Sequence, residues 1–131
     1  MITRFLHASL IVSNTQKSTE FYTQCFDFVV DPARPDLGFP GAWLKHGSFE
    51  LHLLEVTNPD PVLNRPSHGG RDRHLAFAVN SLGEVIKKLD KHSISYTISQ
   101  SGRLALFCRD PDGNALEFVE INKGQAAAYE I

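Results

Sequence analysis

Three histidines and one glutamate fall at matching places in two similar stretches of this chain. Imidazole and carboxylate are the side chains that bind divalent transition metals. His7 lies in Phe5-Leu6-His7-Ala8-Ser9-Leu10-Ile11-Val12, and His74 lies in Arg73-His74-Leu75-Ala76-Phe77-Ala78-Val79. Further on, Leu51-His52-Leu53-Leu54-Glu55-Val56 can be laid over Leu116-Glu117-Phe118-Val119-Glu120-Ile121. The His7/His74 pair is separated by 67 residues and the His52/Glu117 pair by 65, so one duplication register accounts for both. Four protein donors leave positions open on a five- or six-coordinate ion for water or substrate, which points to catalysis over a structural role. A structural zinc site would draw on cysteines. Cys25 and Cys108 are the two present and neither has a CxxC partner, so both read as small buried hydrophobes.

The elements that must position these residues follow from periodicity. Residues 4–12 alternate with a period of two, with Leu6, Ala8, Leu10 and Val12 on one face and Phe5, His7, Ser9 and Ile11 on the other. Ser13-Asn14-Thr15-Gln16 matches a capping box with Ser13 as the cap. A helix over about 15–27 follows, with Phe21, Tyr22, Cys25 and Phe26 as its apolar stripe. That stripe is expected to cover the Leu6/Ala8/Leu10/Val12 face, leaving His7 on the open side. Strands are expected at 28–30, 42–45 and 49–56. The second half repeats the plan: a strand at 73–79, a capping box at Ser81-Leu82-Gly83-Glu84, a helix to about His92, and strands at 94–99, 104–108 and 115–121. Asp110-Pro111-Asp112-Gly113 suits a type I turn.

The expected fold is therefore α+β, two tandem βαβββ modules (about 4–56 and 73–122) enclosing a barrel-like cavity within one domain spanning 1–131. Residues 57–71, rich in Pro and Gly, read as a linker, since about 60 residues per half is marginal for independent folding. The tail at 123–131 reads as a short helix or a frayed end. Parity places His7 and His74 on open faces, each with a small neighbour two residues on (Ser9, Ala76). Glu117 shares a face with Ala115 and Val119, while His52 shares one with Glu50 and Leu54. His46, His68 and His92 have turn or helix-end settings and are expected to be exposed.

Bulk properties exclude several classes. The net charge of −2, without a basic stripe, argues against nucleic acid as a partner. No apolar run approaches a membrane span, and Met1-Ile2-Thr3-Arg4-Phe5 lacks the apolar core of a signal peptide. Two cysteines are too few for a disulfide framework, so the cytoplasm is the expected compartment.

Three segments then carry a family resemblance. Phe21-Tyr22-Thr23-Gln24-Cys25-Phe26-Asp27-Phe28 is similar to an FY-x-x-x-L-G-F helix end, and His74-Leu75-Ala76-Phe77-Ala78-Val79 to the strand that opens a second module. The most specific is Phe107-Cys108-Arg109-Asp110-Pro111-Asp112-Gly113-Asn114-Ala115-Leu116-Glu117, which looks like an F-x-DPDGN-x-x-E signature. With His7, these resemble the vicinal oxygen chelate superfamily, which includes glyoxalase I, extradiol dioxygenases, and fosfomycin- and bleomycin-resistance proteins. The resemblance implies ligation by His7, His74 and Glu117. For the fourth ligand it sets Glu50 beside His52. The two share a face, and the internal repeat favours His52, with Glu50 as a neighbouring acid/base or alternate ligand.

The resemblance further implies bidentate chelation of one divalent ion by two adjacent substrate oxygens, with Zn or Ni favoured and Fe(II) or Mn as alternatives. The ion stabilises an enediolate or oxyanion, and Glu117 or Glu50 moves a proton on the neighbouring carbon. Arg103 and Trp43 are candidate contacts for a small-molecule substrate, whereas Arg73 has the parity of a surface residue. A glyoxalase-type lyase or isomerase is the leading reading, and a homodimer the expected assembly. The alternatives are an Fe(II) extradiol-type dioxygenase, since His7, His74 and Glu117 make a 2-His-1-carboxylate set, and a bleomycin-resistance-like binding protein.

Overall fold

Two sets of strands, each returning on itself through one helix, build the same unit twice in the computed structural model, which describes residues 1–122. The chain divides after Leu63 into two units. In the first, β1 (His7–Ile11), α1 (Thr15–Phe26), β2 (Val29–Asp31), β3 (Gly41–His46) and β4 (Phe49–Leu54) form a four-stranded sheet of order β1-β4-β3-β2. β1 runs parallel to β4 and the other pairs are antiparallel. Only the parallel pair needs a crossover, and α1 with β2 and β3 supplies it.

Register sorts the two faces. Ala8 and Leu44 both pair with Leu51, and Leu10 and Ala42 both pair with Leu53, so these six residues share one side of the sheet. Leu44, Leu51 and Leu53 are almost wholly buried there together with Tyr22 and Cys25 of α1. Truncating one such leucine would cost about 2–5 kcal/mol. His7, Ser9, Trp43, Glu50 and His52 occupy the opposite side, as strand parity predicted.

The second unit comprises β5 (His74–Val79), α2 (Leu82–Lys91), β6 (Tyr96–Ile98), β7 (Ala105–Arg109) and β8 (Ala115–Glu120), with sheet order β5-β8-β7-β6. Its pairing is the same: β5 parallel to β8, the rest antiparallel. Leu106, Cys108, Leu116 and Phe118 are buried on the helix side with Leu82, Val85 and Leu89 of α2. The architecture is thus α+β, two tandem βαβββ modules. Among the described residues the eight strands form two sheets, neither of which closes on itself.

The helix starts show one symmetry and one departure. Glu55 accepts a hydrogen bond from the Thr15 amide at 2.8 Å, and Glu120 accepts one from the Leu82 amide at 3.0 Å. Each carboxylate, at the end of its module's last strand or one residue past it, therefore satisfies the first amide of that module's helix, where the helix dipole also favours negative charge. Ser81 caps α2 as expected, accepting from the Glu84 amide. In α1 the cap is Asn14, which accepts from the Lys17 amide, so the expected Ser13 cap is displaced by one residue. Both types cap well, and the chain enters the helix at the one whose oxygen reaches the third amide.

Two other details differ from expectation. β1 begins at His7, not residue 4, and residues 4–6 are exposed, Phe5 stacking on Phe49 with ring centres 5.9 Å apart. The segment read as a linker over 57–71 is split by the division at Leu63, and its later part is built into the second unit, where Gly69–Arg71 form a 3-10 turn. There, a Cβ on Gly69 would lie 3.2 Å from Phe107 and 3.3 Å from Ala115, so glycine lets the turn sit directly on the open face of β7 and β8. The tail at 123–131 lies outside the described residues. No helix among the described residues is long and apolar enough to cross a membrane.

Candidate functional site

In the second module, β8 carries Glu117 at its centre, paired with Ala76 on one side and Phe107 on the other. The signature turn fixes this placement. Buried Asp110 accepts from the amides of Asp112 and Asn114 and from the Asn114 side chain, and the Gly113 amide donates to the Asp110 carbonyl. Gly113 has φ of +82°, where a side chain would strain the backbone. The motif thus acts first as a device for starting β8 in register.

Glu117 is 2% exposed, and a carboxylate so buried needs compensation. Arg103 supplies part of it, donating from Nη2 to Oε1 at 2.8 Å. The other oxygen, Oε2, faces His74 Nε2 at 3.5 Å. His74 Nδ1 lies 2.8 Å from the Asp72 carbonyl, an acceptor, so Nδ1 carries the proton. On a neutral ring that leaves a lone pair on Nε2 pointing at a carboxylate oxygen. Two acceptors facing each other attract a cation between them, and an Nδ1–H held by a carbonyl is the usual support of a metal-ligating histidine.

In the first module, His52 is held between two rings. The His7 imidazole stacks on it with centres 3.9 Å apart and 13° between planes, and the Trp43 indole on its other contact lies at 4.5 Å and 10°. The side chain is 13% exposed, and its Nε2 is buried without a hydrogen-bond partner. Glu50 Oε1 is 4.0 Å away, too far for a hydrogen bond. Burial holds His52 below the usual imidazole range. The neighbouring His7 adds to that push, Glu50 and Asp31 oppose it, and Arg34 lowers it further. His52 is therefore neutral at neutral pH, with an unsatisfied nitrogen. A metal ion would satisfy it.

Strand pairing supports the proposed duplication register. His52 sits opposite Ser9, two residues after His7, and Glu117 sits opposite Ala76, two residues after His74. Trp43 and Phe107 are their partners on the other side. Glu50 pairs with His7, and its counterpart opposite His74 is Ala115. Register thus makes His52, not Glu50, the equivalent of Glu117. Among the described residues neither half gathers three His, Cys, Asp or Glu side chains placed to hold an ion. Each half offers a pair.

Sequence reasoning missed a network beneath His74. The Asp72 carboxylate receives the guanidinium groups of Arg65 and Arg109, and Arg109 also donates to the carbonyls of Gly113 and Pro66. The two arginines hold Asp72 far below the usual carboxylate range. Its backbone carbonyl is the one that orients His74, so the network sets the direction of a candidate ligand. Asp72 stands in a polar stretch without periodicity, and only the fold brings Arg65 and Arg109 to it. His68, expected to be exposed, is half-buried, with Nδ1 2.7 Å from the Thr97 hydroxyl and its ring edge-on to Phe107. His92, also expected to be exposed, is half-buried where α2 ends. His46 and Arg73 are exposed as expected.

Comparison with known proteins bears on the family and the fold. Residues 4–118 match the family model of the Glyoxalase/Bleomycin resistance protein/Dioxygenase superfamily. Glyoxylase I 4 of Arabidopsis thaliana is 30% identical over 121 residues, covering 88% of this chain and 70% of its own length. A trivalent organoarsenical cleaving enzyme of Bacillus sp. (strain MD1) is 27% identical over 130 residues, with 88% and 71% covered. A genomically encoded fosfomycin resistance protein of Listeria monocytogenes, in complex with Mn(II) and a dihydroxypropylphosphonic acid, superposes with a TM-score of 0.74 at 17% identity, covering 97% of this chain and 99% of that one. The last of these shares the fold. Their named chemistries differ.

Proposed function

The chain belongs to the Glyoxalase/Bleomycin resistance protein/Dioxygenase superfamily, and from that premise we propose that it is a divalent-metal-dependent lyase or isomerase of the glyoxalase type. Its ligands in this reading are His7, His52, His74 and Glu117, and its substrate is a small molecule with two adjacent oxygens. The observation that carries the reading is the Nε2 of His74 facing Oε2 of Glu117 at 3.5 Å, with the proton of His74 committed to Nδ1. The unpartnered Nε2 of His52 supports it independently.

A bound divalent ion would act as a Lewis acid, stabilising negative charge that develops on the substrate oxygens. The chain's residues do the rest. Stacking between His7 and Trp43 fixes the ring of His52, and the Asp72 carbonyl fixes that of His74. Glu50, 30% exposed and 4.0 Å from His52, is the carboxylate placed to exchange protons. Glu117 is buried against Arg103, which suits a charged ligand better than a proton carrier.

Metal analysis of the purified protein, joined to a hemithioacetal assay with glutathione and methylglyoxal, tests the proposal. Zn or Ni at one equivalent per site, with activity lost in Glu50→Gln while metal is retained, is the expected result. Air-sensitive Fe(II) would favour the dioxygenase reading. A protein that holds no divalent ion would be a binding protein instead.

A further inference from the structure

Arg103 is bonded to the candidate metal ligand Glu117, and its setting is asymmetric. Its partner Glu117 is 2% exposed in the middle of β8, while the Arg103 side chain is 54% exposed just before β7. The contact is single-point, Nη2 to Oε1, and not the two-bond fork that arginine forms in its strongest carboxylate pairs. Its Nε lies 3.5 Å from the Ser101 hydroxyl, a long contact, and the preceding Gly102 turns the chain at φ of +85°. Of the two partners, Arg103 is therefore the one that can give way.

We infer that Arg103 is a displaceable counter-ion, which neutralises buried Glu117 while no metal is bound and becomes an anion-binding group once a divalent ion takes that carboxylate. The inference rests on the metal reading above. A buried carboxylate without a counter-charge is costly, so the metal-free chain needs Arg103. A divalent ion held by Glu117 and His74 would supply the charge itself and would repel the guanidinium. Arg103 would then have donors released from Glu117, and a guanidinium can fork onto a carboxylate or similar oxyanion. This narrows the substrate to an anionic one and imposes an order, metal before substrate.

Isothermal titration of the whole, metal-stripped protein with MnCl2 tests the first half. Arg103→Gln keeps a hydrogen-bond donor and removes the charge, and Arg103→Lys keeps the charge. Arg103→Gln should bind Mn(II) about tenfold more tightly than wild type, on the scale of one charged hydrogen bond, with Arg103→Lys close to wild type. Thermal unfolding of each variant confirms that it is folded. Oxalate, a dianion with two adjacent oxygens, probes the second half. Mn-loaded wild type should bind it about tenfold more tightly than Mn-loaded Arg103→Gln, again the scale of one charged contact, and the difference should vanish without metal.

Equal or weaker Mn(II) binding in Arg103→Gln, with wild type binding and Glu117→Gln not, would make Arg103 a mere support of Glu117 and overturn the inference while leaving the metal reading intact. So would oxalate binding that Arg103→Gln does not weaken. If wild type takes no ion, or if His74→Ala and Glu117→Gln bind as well as wild type, the metal reading falls and this inference falls with it.

Discussion

The two modules share a strand register to the residue, yet they treat the equivalent position in opposite ways. In the first, His52 is neutral, lies between aromatic rings, and has a nitrogen without a partner. In the second, Glu117 is buried and paired with an arginine, and the 3-10 turn at Gly69–Arg71 packs on the same face. Duplication fixes where a side chain projects. It leaves open how that side chain's charge is balanced, and there the halves have diverged.

Ion pairs give the sharpest test of this difference. Asp72 is enclosed by Arg65 and Arg109 with its side chain 7% exposed, whereas Asp31 of the first module pairs with a Lys45 that is 51% exposed. Asp72→Ala should lose about 3–5 kcal/mol in urea unfolding, because two guanidinium groups lose their shared carboxylate, and Lys45→Ala less than about 1 kcal/mol. The loss should depend on pH with a definite sign. The folded-state pKa of Asp72 is depressed, so its contribution is full above the ordinary carboxylate range and is lost as pH falls below about 4. Similar costs for the two variants would erase the distinction between modules.

Metal affinity should rank next. Glu117→Gln is expected to weaken Mn(II) binding by more than about 100-fold, beyond the usual effect of changes around a ligand, and His52→Ala by less, since it removes a neutral donor. Equal losses would mean that charge does not distinguish the halves. Helix caps should show the symmetry instead. Glu55→Ala and Glu120→Ala each remove one carboxylate from a helix start, and each should cost about 1 kcal/mol in thermal unfolding. The smallest effect separates neighbours in the first module. Asn14→Ala should cost about 1 kcal/mol and Ser13→Ala a few tenths at most.

Which face carries each candidate residue was legible from periodicity. Alternation placed His7, His52, His74 and Glu117 on the faces away from the helices, and strand pairing agrees at every one. The choice between Glu50 and His52 was not legible by parity, because residues two apart share a face. Register decides equivalence, since Ser9 lies opposite His52 as Ala76 lies opposite Glu117. The Ser13 cap failed for a similar reason: two adjacent good capping residues leave a one-residue ambiguity that only backbone geometry resolves.

What the amino-acid order determined by itself is the repeat, the two βαβββ modules and the side of each sheet on which chemistry-bearing residues stand. Those properties are local, set by side-chain period and turn residues a few positions apart. What only the tertiary structure decided is the charge environment of those residues: the Arg103 contact to Glu117, the Asp72 brace behind His74, and the aromatic stack around His52. Electrostatic pairing joins residues by distance in space, and no sequence period records it.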